Sequence, residues 1–379
     1  MTMVEKFEQM NFKKEILRGI FAYGFETPSP IQKKAIPAFL SGRDLIAQAQ
    51  SGTGKTATFS LSVLQSIDEN VNSIQAIILS PTRELSEQIY NVIKSLAHYT
   101  KLKFTLLLGG QSRREQINEL ENSHCLICTP GRINDFLYNG YINTEKVKCL
   151  ILDEADELLT DAFQSQIRDV VSKLPDTTQI GIYSATMPNL TLDVAMKFMR
   201  DPEKIYVKAE QLTLEGISQY HIYTDNDRSK YEAITDLYSS IIINQLIIYC
   251  NTKQRVIYLA QNLMRDGYTC SFIHSDLSTN ERMETMKTFR KGDTRVLIST
   301  DLLSRGIDVQ QISLVINYDL PKNIEVYLHR IGRSGRFGRK GIALNFINRG
   351  DAETLNRIEN FYQTEIPELP SNFQEIFKC

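Results

Sequence analysis

The sequence predicts an α/β protein of two tandem domains, each a parallel sheet flanked by helices, and three observations carry that prediction. A chain of 379 residues exceeds one ordinary core. Short β-rich runs alternate with helix-like intervals, as in sheets wrapped by crossover helices. The alternation lapses after residue 207 and resumes near residue 245. At 42% hydrophobic and 23% charged residues the composition is that of a globular chain, which excludes disordered, collagen-like and coiled-coil classes. Met1 to Phe12 carries no apolar leader core, and no apolar run is long enough to cross a bilayer, so no membrane association is expected. A formal net charge of −2 requires any polyanion-binding surface to be local.

The first domain is expected over residues 1–208, with strands at Asp44 to Ala49, Ala76 to Ser80, Lys103 to Leu108, Cys125 to Thr129, Cys149 to Leu152, Gln179 to Ser184 and Lys204 to Val207. A linker is expected over 209–217, where no period is sustained. The second domain, 218–379, is expected to place strands at Gln245 to Cys250, Thr269 to His274, Arg295 to Ser299, Leu314 to Tyr318 and Gly341 to Ile347. Cys125 and Cys128 form a C-x-x-C pair inside an apolar run. Residues three apart on a strand face opposite ways, so buried reduced thiols are expected rather than a shared ion.

Ligands of a parallel sheet gather beyond the carboxyl ends of its strands, so the residues after each strand carry the functional reading. After the first run comes Ala47-Gln-Ala-Gln-Ser-Gly-Thr-Gly-Lys-Thr56. Gly52 and Gly54, with Ser51 before them and Thr53 between them, let successive N–H groups turn onto a polyphosphate at a helix start. Lys55 then reaches the terminal phosphates and the Thr56 hydroxyl a magnesium ion. Ala49 stands where the general pattern has Gly, so an ordinary Gly-rich turn is the alternative. Cys149 to Leu152 is an apolar strand that ends on Asp153 and Glu154. This pair suits a magnesium ligand and a residue that orients the attacking water. Asp156 either joins interdomain contacts or caps the next helix.

Upstream, Gly24-Phe-Glu-Thr-Pro-Ser-Pro-Ile-Gln32 offers a Gln amide matched to an adenine edge, and Phe21 a ring to stack on it. A Pro-started helix is the alternative for Gln32. Arg83, Gly109, Gly110, Thr129, Gly131 and Arg132 supply backbone N–H groups and side chains suited to phosphodiester oxygens without base readout. Arg330, Arg333, Arg336, Arg339 and Lys340 form a basic run that is either solvated or aimed at a transferring phosphoryl group.

Read in order, AQAQSGTGKT, PTREL, TPGR, DEAD, SAT, STDLLSRGID and HRIGRSGRFGR, preceded by GFETPSPIQ, resemble the DEAD-box ATP-dependent RNA helicases over nearly the whole chain. The runs Phe198 to Pro202, Leu212 to Ile217 and Arg305 to Pro321 are similar to the translation initiation factor 4A branch. The resemblance implies two RecA-like domains that bind ATP, Mg2+ and single-stranded RNA. By position it implies adenine contacts from Phe21, Thr27 and Gln32, phosphate contacts from Ser51 to Thr56, and metal and water at Asp153 and Glu154. Ser184, Thr186 and Asp156 would couple nucleotide state to the interdomain region. Asp301 and Gly306 would approach the nucleotide, with Arg333 and Arg336 as arginine fingers. RNA would lie on Arg83, Gly110, Thr129 and Arg132 of the first domain, and on Thr300 and Arg282 of the second. Ser275 stands where the family commonly has Gly, and Thr279 where it often has Gln, which puts RNA contacts there in doubt.

The expected activity is therefore RNA-stimulated hydrolysis of ATP that locally unwinds short duplexes in translation initiation. An ATP-gated RNA clamp serving nuclear RNA processing is the competing expectation. The resemblance also implies a monomer working in the cytoplasm with an initiation scaffold protein as partner.

Overall fold

The computed structural model describes residues 4–49, 53–206, 217–241, 245–301, 312–332 and 341–378. The chain divides into two compact units, Met1–Lys208 and Ala209–Cys379. The first unit holds strands β1 Leu45–Gln48, β2 Ala76–Leu79, β3 Phe104–Leu107, β4 Cys125–Cys128, β5 Cys149–Asp153, β6 Gln179–Ser184 and β7 Glu203–Tyr206. They form one parallel sheet in the spatial order β3-β4-β2-β5-β6-β1-β7. Its helices are α1 Lys14–Ala22, α2 Pro30–Leu40, α3 Lys55–Ser66, α4 Arg83–Leu96, α5 Arg113–Leu120, α6 Pro130–Tyr138, α7 Ala155–Leu158, α8 Gln164–Ser172 and α9 Asn189–Ala195.

The second unit adds β8 Ile217–Tyr223, β9 Leu246–Tyr249, β10 Cys270–Ile273, β11 Val296–Ser299, β12 Leu314–Asn317 and β13 Gly341–Ile347, parallel in the order β10-β11-β9-β12-β13-β8. Helices α10 Asp227–Ser240, α11 Lys253–Arg265, α12 Thr279–Lys291, α13 Ile324–Ile331 and α14 Ala352–Tyr362 pack on it.

Helices cover both faces of each sheet, which is why the inner strands read as unbroken apolar runs. In the first unit one core gathers residues of α1 to α4 against one face, and a second gathers residues of α6 to α9 against the other. Cys125 belongs to the first core and Cys128 to the second. Burial raises both thiols and pushes Cys149 up to about 12, so these thiols are inert.

The strand β8 was absent from the sequence reading, which placed Ile217 in the linker. The remainder of that linker, 209–216, lies outside the described residues. Gln219, His221 and Tyr223 make β8 look like loop, but it is an edge strand whose polar groups find partners. Gln219 Oε1 accepts from Tyr327 Oη at 2.8 Å, and His221 Nδ1 lies 2.7 Å from the Ile366 carbonyl. The chain end then closes this edge, with His221 N–H donating to Pro367 O and Leu369 N–H to His221 O, both at 2.9 Å.

Candidate active site

Beyond β1 the chain turns into α3 through Gly54, whose φ of 96° is a left-handed conformation that suits glycine. A Cβ at residue 54 would also stand 2.9 Å from Gln32 Nε2. The turn and the upstream Gln segment are therefore packed against each other. Lys55 is buried at the first position of α3, and its ammonium donates to the Ala49 carbonyl at 2.6 Å. Thr53 and Thr56 are half-buried beside it; Ser51 and Gly52 lie outside the described residues.

Gln32 sits where Ser29-Pro30-Ile31-Gln32 starts α2 as a capping box. The Ser29 Oγ accepts from Gln32 N–H at 3.4 Å, and Gln32 Oε1 from Ser29 N–H at 2.8 Å, with Pro30 at the first helical position. This helix start and an amide held at the phosphate turn are one arrangement, not two alternatives. Phe21 and Thr27 are exposed.

β5 and β1 lie two strands apart with β6 between them, so their ends are separated by about 10 Å. Into this space β5 delivers Asp153 and Glu154, and β6 delivers Ser184 and Thr186. Asp153 is buried at 2% exposure, and desolvation, reinforced by the neighbouring Glu154 charge and opposed by Lys55, pushes its carboxyl up to about 8. Glu154 has a φ of 50°, a left-handed conformation costing ~1–2 kcal/mol for a side chain with Cβ. Its N–H donates to Asp153 Oδ1 at 3.0 Å, and its own Oε2 is buried without a hydrogen-bond partner among the described residues. Strain and an orphaned carboxylate oxygen mark a site built for something other than stability. Two residues on, Asp156 Oδ2 accepts from Thr186 Oγ1 at 2.6 Å, which ties the end of β5 to the end of β6. Ser184 is fully buried and its Oγ has no partner among the described residues.

The basic and Gly-rich loops follow β2, β3 and β4, which are neighbours in the sheet. Thr82 caps α4 by accepting from Leu85 N–H, which sets Arg83 at the helix start. The Arg83 guanidinium lies over the next loop: a Cβ at Gly110, where φ is 83°, would meet its Nη1 at 2.9 Å. Thr129 caps α6 through backbone position alone, leaving its hydroxyl out of the cap. Arg132 has partners within the fold. Its Nε donates to Leu108 O at 3.0 Å and its Nη2 to Gln111 O at 2.9 Å, with 9% of the side chain exposed. These donors hold the Gly109-Gly110 loop from both sides, so Arg132 shapes the loop.

In the second unit Arg330 is separated from the basic run in which the sequence placed it. It is fully buried. Nε donates to Asp301 Oδ1 at 2.6 Å, Nη1 to Asn317 Oδ1 at 3.2 Å and Asp319 O at 2.6 Å, and Nη2 to Asn251 Oδ1 at 2.8 Å. One guanidinium thus joins the carboxyl ends of β9, β11 and β12. Asp319 is itself buried and paired with Lys230 and Arg255. Asp301 is engaged by Arg330, Thr300 is half-buried, and Arg282 is half-buried on α12. Gly306, Arg333 and Arg336 lie outside the described residues.

The chain matches the DEAD/DEAH box helicase description over residues 29–194 and the helicase conserved C-terminal domain over residues 229–338. It is 51% identical over 376 residues to the ATP-dependent RNA helicase eIF4A of Lodderomyces elongisporus, covering 99% of this chain and 95% of that protein. This chain belongs to the DEAD/DEAH box helicase family. The eIF4A of Saccharomyces cerevisiae is 50% identical over 370 residues, covering 98% of this chain and 94% of that one. Among solved structures, S. cerevisiae Dbp5 bound to RNA and ADP BeF3 superposes with a TM-score of 0.93 at 34% identity, covering 99% of this chain and 98% of that chain. Both units thus have the RecA-like fold of these helicases.

For a DEAD-box helicase the donor set at β5 fits a hard dication. Two buried carboxylates carry one oxygen that has no partner among the described residues, and the Thr56 hydroxyl stands at the start of α3. Without a cation, burial makes Asp153 take up a proton in the folded state that it lacks when unfolded. A raised acid pKa contributes stability fully below the unfolded value of 3.8, and that contribution is lost as pH rises through about 8. Relative to an Asp153→Asn variant, in chelator and without nucleotide, the parent chain is expected to lose more than about 1 kcal/mol between roughly pH 5 and pH 9. Thermal unfolding of both proteins across that range checks it; parallel curves would count against the raised pKa.

Proposed function

We propose that this chain is an ATP-dependent RNA helicase of the initiation factor 4A type, acting in translation initiation. The observation that carries this reading is the junction at β5 and β6, where the Asp153 and Glu154 pair is bonded through Asp156 to Thr186 beside the phosphate turn. Lys55 and the backbone of residues 51–56 hold the phosphates, with Gln32, Thr27 and Phe21 on the adenine. Thr56 and Asp153 hold Mg2+, which neutralises phosphate charge when bound. Glu154 orients the attacking water. Arg333 and Arg336, with Asp301 and Gly306, supply the second domain's groups for the nucleotide.

Loss of the γ-phosphate is felt first at Glu154 and Asp153, and the Asp156 to Thr186 hydrogen bond passes a shift of β5 to the segment after β6. RNA is held by its phosphodiester backbone on Arg83, Gly110 and Thr129, on a loop shaped by Arg132, and on Thr300 and Arg282. Backbone contacts make binding independent of sequence and weaker in salt, by a slope of about 0.7 per phosphate contact. A strand bound more tightly with ATP than without it is released after hydrolysis, so nucleotide turnover drives local strand separation. The protein acts as a cytoplasmic monomer that depends on an initiation scaffold for targeting.

The test is stimulation of ATP hydrolysis by a single RNA strand and by DNA of the same sequence. RNA is expected to stimulate more strongly, because only it presents 2′-hydroxyls. Equal stimulation by both would remove RNA as the substrate.

A further inference from the structure

The outer edge of the first sheet is β3, a strand with one neighbour. The Lys103 and Leu107 carbonyls accept from His124 and Thr129 on the β4 side. The pleat therefore turns the N–H and C=O groups of Phe104 and Leu106 outward. Gln116 Nε2 reaches the Leu106 carbonyl at 3.5 Å; among the described residues no group from outside the sheet meets the other three. Along this edge runs a groove of about 670 Å³. One wall is α4, with Tyr90 and Lys94; the other is the end of α5, with Glu119 and Glu121. The floor shows half-buried Phe104 and Leu106 on the α4 side. Lys94, Glu119 and Glu121 are exposed and form no ion pair among the described residues.

We infer that this groove takes an extended segment of a partner protein as an added strand on β3. Side chains of an added strand alternate between the two walls. Opposite the carboxylates of Glu119 and Glu121 the segment carries Lys or Arg; opposite Tyr90, Phe104, Leu106 and Lys94 it carries apolar and acidic residues. The molecule shows the same manner of closure elsewhere, since β8, the edge of the second sheet, is covered by residues 366–369 of its own chain. Among the described residues of the first unit the β3 edge has no such cover, and β7, where the chain leaves that unit, lies at the opposite edge of the sheet. The segment would lie beside Gln111, which borders both the groove and the Gly109-Gly110 loop.

The probe is a nine-residue synthetic peptide with Val and Glu alternating at odd positions and Lys at every even position, compared with a peptide of the same composition in scrambled order. With the full chain and saturating alternating peptide, the Phe104 and Leu106 amides are expected to exchange hydrogen at least about tenfold more slowly. The scrambled peptide should leave them unchanged. Replacing both groove carboxylates, Glu119→Lys with Glu121→Lys, is expected to raise the Kd for the alternating peptide about tenfold or more. RNA-stimulated hydrolysis without peptide should stay the same, which reports an intact fold. Absence of protection at both amides, or equal protection by the scrambled peptide, would overturn the proposal. So would protection in the free protein that grows with its own concentration, since a second copy would then be the occupant.

Discussion

Replacing Glu154 with Gln is expected to lower RNA-stimulated ATP turnover by about 10²- to 10⁴-fold, the usual range for loss of a positioned general base. Binding of RNA in the presence of ATP should survive. Glu154 and Gln have nearly the same shape, so the strained backbone and the Glu154 N–H bond to Asp153 are retained. What is lost is the negative charge on an oxygen that is buried and has no hydrogen-bond partner among the described residues. That oxygen is available to a water molecule. The amide cannot take up a proton from that water, so the complex with ATP and RNA should accumulate. Steady-state hydrolysis and filter binding of labelled RNA with ATP check the two halves. Parental turnover in this variant would contradict the role given to Glu154.

Arg330→Met is expected to destabilise the second unit by about 3–5 kcal/mol, the cost of breaking a buried charged network by removing one partner. The side chain is fully buried and spends its donors on Asp301, Asn317, Asn251 and the Asp319 carbonyl. Methionine fills part of the volume and satisfies none of these oxygens, so three strand ends lose their common donor. Scanning calorimetry of the full chain should show one transition lowered by on the order of 10 °C, while the first unit keeps its own. Arg330→Lys should recover little, because an ammonium cannot reproduce the planar fork that meets four acceptors. An unchanged thermal profile would mean that Arg330 is not a structural centre.

Much of the architecture was legible because it is written at short range. Ser29-Pro30-Ile31-Gln32 contains its own helix start, and the capping box depends on residues three apart. Cys149 to Leu152 states a buried strand by composition, and the next two residues state what that strand delivers. The opposite facing of Cys125 and Cys128 follows from the two-residue period of a strand. Strand β8 was hidden because an edge strand need not be apolar: its polar groups are satisfied by Tyr327 and by the chain end, more than a hundred residues away.

Charged residues were the least legible. Arg132 and Arg330 both read as candidates to meet phosphate, yet in the structure their donors are turned inward. Arg132 braces a glycine loop 21 and 24 residues upstream, and Arg330 joins strand ends 11 to 79 residues away. Lys55 lies at the phosphate turn, but its present partner is the Ala49 carbonyl.

The alternation of strands and helices, the division of function-bearing loops between two domains and the order of the helicase motifs can be read from the chain alone. Those properties rest on local periodicity and on the chemistry of contiguous residues. Which cations support the fold, and which oxygens lack partners among the described residues, is visible in the folded molecule alone. Whether a charge is solvated or enclosed depends on groups that folding brings from distant parts of the chain.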